Sequence, residues 1–315
     1  MRFLPGSEKN PPFLYGTDGL IFSIVALDRN VPLLLLDGHL LAKVSKDPGE
    51  LELIETGYGL VQIKSSTATY ALESIDEKRY PFFPYWPESG FVFMEAWDLV
   101  RKVFYAAAKA KEASHLAFVH FASHYVEATD QARIARVGVE WPYSGVVPSA
   151  VFRSFPEGFV QVAFTEEHAF FSVGDEMRIA PLFRGSFVVT DKLLPANHAG
   201  ARVLLSTSQF QHVVSQGQLI AERGFIHLYF SADCVNAECW GRDIARKVFI
   251  GSLPVLHAKD VGQPVKILVD GRYLKEALRP VETPNVQICF SEDPVIPLRI
   301  ESGAYVACVW QMLDQ

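Results

Sequence analysis

The chain has 315 residues, 49% of them apolar, a formal net charge of -7 and four cysteines. That length suits two or three domains with sizeable cores, and the spacing of Cys234, Cys239, Cys289 and Cys308 fits neither a zinc site nor a disulfide framework, which favours a reducing compartment. No apolar run approaches a membrane span and residues 1–12 hold no signal-peptide core, so a soluble, cytoplasmic protein is expected; the acidic balance excludes a uniformly basic nucleic-acid binder, although net charge hides local distribution.

Residues 13–15 and 20–27 read as strands around the turn Gly16-Thr17-Asp18-Gly19. Asp37-Gly38 then stands as a helix N-cap, with Leu40, Leu41 and Val44 on one face and His39, Lys43 and Lys46 on the other. Alternating runs at 51–55, 59–64 and 69–75 follow, and the proline-rich stretch 81–87 reads as a connector. The strongest helical pattern covers 97–111: Leu99, Val103, Ala106, Ala107 and Ala110 make an apolar stripe, and Arg101, Lys102, Tyr105 and Lys109 cluster on the polar side. Residues 116–128 alternate as a strand pair, Thr129-Asp130 begins a tight turn, and 133–139 is a further strand. A brief helix at 149–155 carries Arg153, ahead of strands at 159–164, 169–173 and 177–187. The helix expected at 208–216 has no Lys or Arg, and strands at 225–230, 235–240 and 245–250 come after it.

The last fifty residues show the recurring pattern most plainly. A buried-strand run at 265–269 leads to Asp270-Gly271 and a short helix with Tyr273, Leu274, Ala277 and Leu278 on one side and Arg272, Lys275 and Arg279 on the other. Pro280 closes it, and strands are expected at 285–290, 295–300 and 304–310. The order of helix, strand, turn, strand, turn, strand also occurs at 37–75 and near 147–187, with longer helix-plus-strand units between, so the chain reads as a repeat architecture. Catalytic signatures are missing: there is no glycine-rich phosphate loop, GxSxG elbow or HExxH, and His115, His120 and His124 have no Cys or carboxylate at ligand spacing. Glu166-Glu167 falls in a hairpin turn. Neither an enzyme nor a metal or cofactor site is expected, although a hydrolase or ligand-binding protein on an unrelated β-rich scaffold is the reading that a concave pocket of convergent titratable groups would favour.

The repeats, together with Asp270-Gly271-Arg272-Tyr273-Leu274, Ala304-Tyr305-Val306, the Ala128-Thr129-Asp130 turn with Arg133, and Leu194-Pro195, resemble the sliding clamp of bacterial replicative DNA polymerase, the polymerase III β subunit. The resemblance implies an α+β fold of three repeated clamp domains (1–84, 85–192 and 193–315), with antiparallel sheets outside and short helices lining an inner face. It implies a homodimeric ring around duplex DNA, acting as a processivity factor near the nucleoid. Lys43, Lys46, Arg101, Lys102, Lys109, Arg153, Arg272, Lys275 and Arg279 would then be the cations facing DNA, touching phosphates and reading no base edges.

A groove for short peptides from DNA polymerase, clamp loader and repair proteins is also implied, lined by Thr129, Gln131, Arg133, Ile134, Pro195, Val306, Cys308 and Trp310. Where the family typically has Thr-Asp-Gly-His-Arg-Leu, this chain has Thr129-Asp130-Gln131-Ala132-Arg133-Ile134, and Val306 to Trp310 replaces a usual Met-Pro-Met ending. Tyr70 and Leu72 of one subunit would meet Leu219 and Ile220 of the other, the latter two following the third domain's helix. The departure is at the start: residues 1–12 stand where the family has an opening strand and helix. Five helices per subunit are therefore expected in place of six, and the alternative is a clamp-like interaction protein that binds peptides without encircling DNA.

Overall fold

The computed structural model describes residues 2–4, 13–17, 21–27, 34–46, 50–57, 59–75, 84, 87, 92–94, 97–108, 116–153, 160–191, 193–194, 200–221, 224–240 and 247–312. Two compact units emerge, Met1–Trp97 with Arg153–Leu182, and Asp98–Phe152 with Phe183–Gln315.

In the first unit an eight-stranded sheet runs in the spatial order Leu34–Leu35, Arg2–Leu4, Phe13–Thr17, Phe22–Ala26, Glu176–Pro181, His168–Val173, Val160–Phe164, Val92–Met94. All its pairings are antiparallel, and the join of Phe22–Ala26 to Glu176–Pro181 ties together distant parts of the chain. The opening residues therefore do supply a strand, Arg2–Leu4. A second sheet holds Glu52–Gly57, Leu60–Lys64 and Thr69–Glu73.

Helix α1, Gly38–Val44, begins where expected because the Asp37 carboxylate accepts the N–H groups of His39 at 2.8 Å and Leu40 at 3.0 Å. Those backbone hydrogen bonds hold the Asp37 carboxyl below its ordinary range. Leu41 and Val44 pack with Leu34, Leu36, Val61 and Ile63. Leu40, expected on the same apolar face, is instead 43% exposed: it sits about 100° round the helix from Leu41, and a stripe this short covers one side only.

The second unit contains a nine-stranded sheet in the order Gly145–Pro148, Phe118–Ala122, Tyr125–Thr129, Arg133–Gly138, Tyr305–Val309, Leu298–Ser302, Asn285–Phe290, Ala201–Ser206, His257–Lys259. A four-stranded sheet has the order Lys247–Pro254, Cys234–Trp240, Phe225–Phe230, Val265–Asp270. Both are antiparallel. Phe230 of one sheet and Phe290 of the other stack with ring centroids 4.2 Å apart, both fully buried; each contributes roughly 1.5–3 kcal/mol of burial free energy.

Three helices accompany these sheets: α2, Trp97–Val103; α3, Thr207–Ile220; and α4, Gly271–Leu278. Helix α2 is shorter than the pattern over 97–111 suggests, because it tightens into a 3-10 turn at Phe104–Ala106. Tyr105, expected beside Arg101 and Lys102, lies in that turn, and its hydroxyl bonds to that of Tyr305 at 2.7 Å. Helix α3 runs past its expected end at Gln216, and Gly217 is a packing glycine: a Cβ there would lie 3.0 Å from the Cys239 sulfur. Leu219 and Ile220 consequently form the last turn of α3 and do not follow it.

Asp270 caps α4 by accepting from Arg272 N at 2.8 Å and Tyr273 N at 3.3 Å. Gly271 is required next to it, since a Cβ would approach the Ile226 side chain to 2.7 Å. The helix expected at 149–155 is a 3-10 turn, Ser149–Phe152, with Arg153 just beyond it. Among the described residues the four α-helices are thus accompanied by the 3-10 turns Phe104–Ala106 and Ser149–Phe152. His124 lies in a turn, not in a strand.

Candidate peptide-binding groove and cationic helices

Four of the residues implied for the groove do come together. Ile134 and Cys308 are directly opposite on paired strands, and with Leu194 they form a buried apolar cluster against which Val306 and Trp310 pack. The Trp310 N–H donates to the Ala132 carbonyl at 3.0 Å, so the chain end is fastened to the turn that precedes Ile134. Burial pushes the Cys308 thiol up to about 12, leaving a neutral, unreactive side chain that serves as apolar wall. Leu194 was missed among the candidates, although it adjoins Pro195. Pro195 itself lies outside the described residues, as does Lys109.

Thr129 is built into the turn, to which Gln131 contributes its backbone. The buried Thr129 hydroxyl donates to the Arg133 carbonyl at 2.8 Å and accepts from Gln131 N at 3.1 Å, and Asp130 Oδ1 accepts from the N–H groups of Ala132 and Arg133. Gln131 is exposed and adopts φ 76°, the left-handed region that a side chain disfavours. Replacing Gln131 by Gly is expected to raise folding stability by up to about 1 kcal/mol, since relief of αL strain exceeds the added chain entropy; thermal melts of the two proteins check this, and a lower midpoint for the variant counts against it.

Arg133 points to the opposite side of the sheet from Ile134, as neighbours on a strand must. Its guanidinium lies over the Tyr273 ring at 4.4 Å and within 5.4 Å of the Tyr105 centroid. Nε donates to Asp130 Oδ2 at 3.0 Å, and Nη1 reaches the Glu276 carboxylate. Burial pushes the Asp130 carboxyl up, with Arg133 acting in the other direction. Tyr305 donates to the Ala277 carbonyl at 2.7 Å and so takes the Tyr105 hydroxyl as its donor; burial raises both phenols, which stay neutral. Arg133 is thus a buried clasp joining the turn, Tyr105 and α4.

The cations fall into two sets. In the second unit, Arg272 and Lys275 on α4 and Arg279 at its C-cap are exposed, whereas Leu274, Ala277 and Leu278 are buried. On α2, Arg101 is exposed and Lys102 is half-buried, its Nζ 2.9 Å from Glu282. Gln211 of α3 donates to the carbonyls of Leu278 and Val281 and so finishes the end of α4. In the first unit, Lys43 and Lys46 are exposed at the end of α1, and Arg153 is exposed.

Of the residues implied for a subunit junction, Leu219 is 71% and Ile220 42% exposed. Tyr70 and Leu72 pack inward on the cluster around Leu34 and Ile63. Their strand, Thr69–Glu73, ends the three-stranded sheet, and Lys247–Pro254, with Ile250 66% exposed, ends the four-stranded one.

This arrangement of antiparallel sheets and short helices is the sliding-clamp fold. Among solved structures, the DNA polymerase sliding clamp from Bacillus subtilis matches with a TM-score of 0.81 at 17% identity, over 100% of this chain and 91% of that one. The DNA polymerase III β subunit from Thermotoga maritima matches at 0.78 and 15%, over 100% and 91%, and the DNA polymerase β subunit from Streptococcus pyogenes at 0.78 and 18%, over 99% and 92%. No protein-family model and no curated protein sequence matches the chain. Among the described residues, no group of three or more His, Cys, Asp or Glu side chains is arranged to hold a metal ion, and no helix is long and apolar enough to cross a membrane.

Proposed function

We propose that this protein is a DNA sliding clamp, a processivity factor without enzymatic activity that encircles duplex DNA and tethers DNA polymerase, clamp loader and repair proteins by short peptide motifs. The observation that carries the reading is the exposed row Arg272, Lys275 and Arg279 on a helix of a clamp fold, in a chain of net charge -7. A clamp must hold DNA topologically without gripping it. A few long cations that meet phosphates provide for sliding, and an acidic remainder discourages stray binding.

In this reading the chain folds as three clamp domains, 1–84, 85–192 and 193–315, and two copies close a ring. The edge strand Thr69–Glu73 of one copy meets the Leu219 and Ile220 turn and the edge strand Lys247–Pro254 of the other, which covers two sheet edges otherwise prone to adventitious pairing. The cluster of Ile134, Leu194, Val306, Cys308 and Trp310 takes aliphatic and aromatic peptide side chains. The protein works in the cytoplasm, at the nucleoid.

Light scattering combined with retention on nicked circular DNA tests the proposal. A dimer held on the circle and released when the circle is linearised is the expected result. A stable monomer that binds apolar peptides and never stays on the circle would replace the ring with a peptide-binding interaction protein.

A further inference from the structure

Beside the groove lies a buried ionic network that none of the clamp roles above uses. Glu127, 1% exposed, is central to it. Its Oε1 meets His120 Nδ1 at 2.9 Å, and its Oε2 accepts Arg136 Nε at 3.0 Å and Nη2 at 2.9 Å. The Arg136 guanidinium lies 3.9 Å from the Tyr125 ring centroid and pairs with Asp191 at 2.7 Å. Glu127, Arg136 and Val306 are opposite one another on successive strands, so the network borders the apolar cluster on the same face of the sheet.

Besides Asp191, the network reaches the adjacent residue Thr190. The Thr190 hydroxyl accepts from Arg136 Nη2 at 2.6 Å and donates to Glu127 Oε2, and its carbonyl accepts the N–H groups of Leu193 at 2.9 Å and Leu194 at 3.0 Å. The flanking residues have little apolar anchoring: Val189 is 64% and Leu193 39% exposed, and Asp191 is also exposed, whereas Thr190 is 2% exposed. A continuous path of hydrogen bonds therefore runs from a carboxylate fixed in the sheet, through Thr190, to the backbone of Leu194, the buried member of the cluster that no strand or helix carries.

We infer that Thr190, gripped by Glu127 and Arg136, is the positioning residue that sets Leu194 in the wall of the peptide groove; the inference rests on the groove reading above. Buried ionic groups of this kind add little net stability over apolar packing but fix one geometry. The groove would thus be preorganised by a polar clasp, which lowers the ordering cost of binding.

Thr190→Val tests it, since the variant keeps the shape and removes the hydroxyl. The probe is a fluorescein-labelled short peptide carrying leucine and phenylalanine side chains, read by fluorescence anisotropy with the full-length protein. Expected are a loss of affinity of about tenfold, the effect of one buried hydrogen-bond anchor, faster amide exchange confined to Leu193 and Leu194, and recovery of both in Thr190→Ser. Arg136→Lys, which loses the planar fork, provides a second variant with a smaller loss in the same direction should Thr190→Val fail to fold. If the unmodified protein binds the peptide and Thr190→Val binds it equally well, the positioning role is overturned and the groove stands. If the unmodified protein shows no saturable binding, the groove reading falls, and the positioning role with it.

Discussion

Arg133→Ala is expected to cost about 3–5 kcal/mol of folding free energy, the loss that follows when one partner of a buried ion pair is removed and the other is left behind. The argument rests on what surrounds the guanidinium. Asp130 and Glu276 lose their cation, the Tyr273 and Tyr105 rings lose the group between them, and the turn that fastens Trp310 loses its tie to α4. Arg133→Lys recovers part of the charge but cannot reach both carboxylates in one plane, so an intermediate loss is expected.

The pH dependence has a definite sign. Burial already raises the Asp130 carboxyl, and removing Arg133 takes away its opposing influence. A carboxyl whose folded pKa lies above its unfolded value favours folding when protonated, and that contribution is lost as pH rises through the folded value. The deficit of the alanine variant should therefore be largest at neutral pH and shrink on acidification through the Asp130 range; urea midpoints between about pH 4 and pH 7 measure it. A deficit below about 1 kcal/mol at neutral pH, typical of a surface pair, would show that the clasp is not structural.

The second large effect concerns DNA. Removing Arg272, Lys275 and Arg279 together by alanine substitution should leave folding nearly unchanged, because each side chain is exposed. If these cations meet phosphates, the slope of log affinity against log salt falls by roughly 0.9 per contact, close to three in all, and binding weakens uniformly across DNA sequences. Titrations at several salt concentrations with two unrelated duplexes provide the measurement. An unchanged slope would make this an ordinary solvated helix face and would remove the main support for encirclement.

Much of the architecture was legible in short stretches. Asp37-Gly38 and Asp270-Gly271 announced α1 and α4 because an N-cap is made within three residues, and alternation located strands such as Phe225–Phe230 and Asn285–Phe290 at the bounds found. The errors have local causes too. Helix α3 continues past its expected end at Gln216 to Ile220, with Gly217 packed near Cys239, and α2 gives way to a 3-10 turn after Val103. Arg133 and Ile134 leave opposite faces of their strand, so one reaches Glu276 and Tyr273 and the other the apolar cluster.

The meeting of Ile134 with Cys308 came from resemblance to a family and not from pattern, and that of Leu194 with both came only from the structure. Glu127, Arg136 and Thr190 gave no signal at all, for a charged residue in a strand reads as solvent-facing until something covers it. Caps, turns and alternation were set within a few residues of chain by hydrogen bonds and side-chain period. Which faces became covered, which charges were buried and where the apolar cluster of Ile134, Leu194 and Cys308 lies depended on segments brought together across a sheet, Ile134 and Cys308 among them, since desolvation depends on neighbours in space.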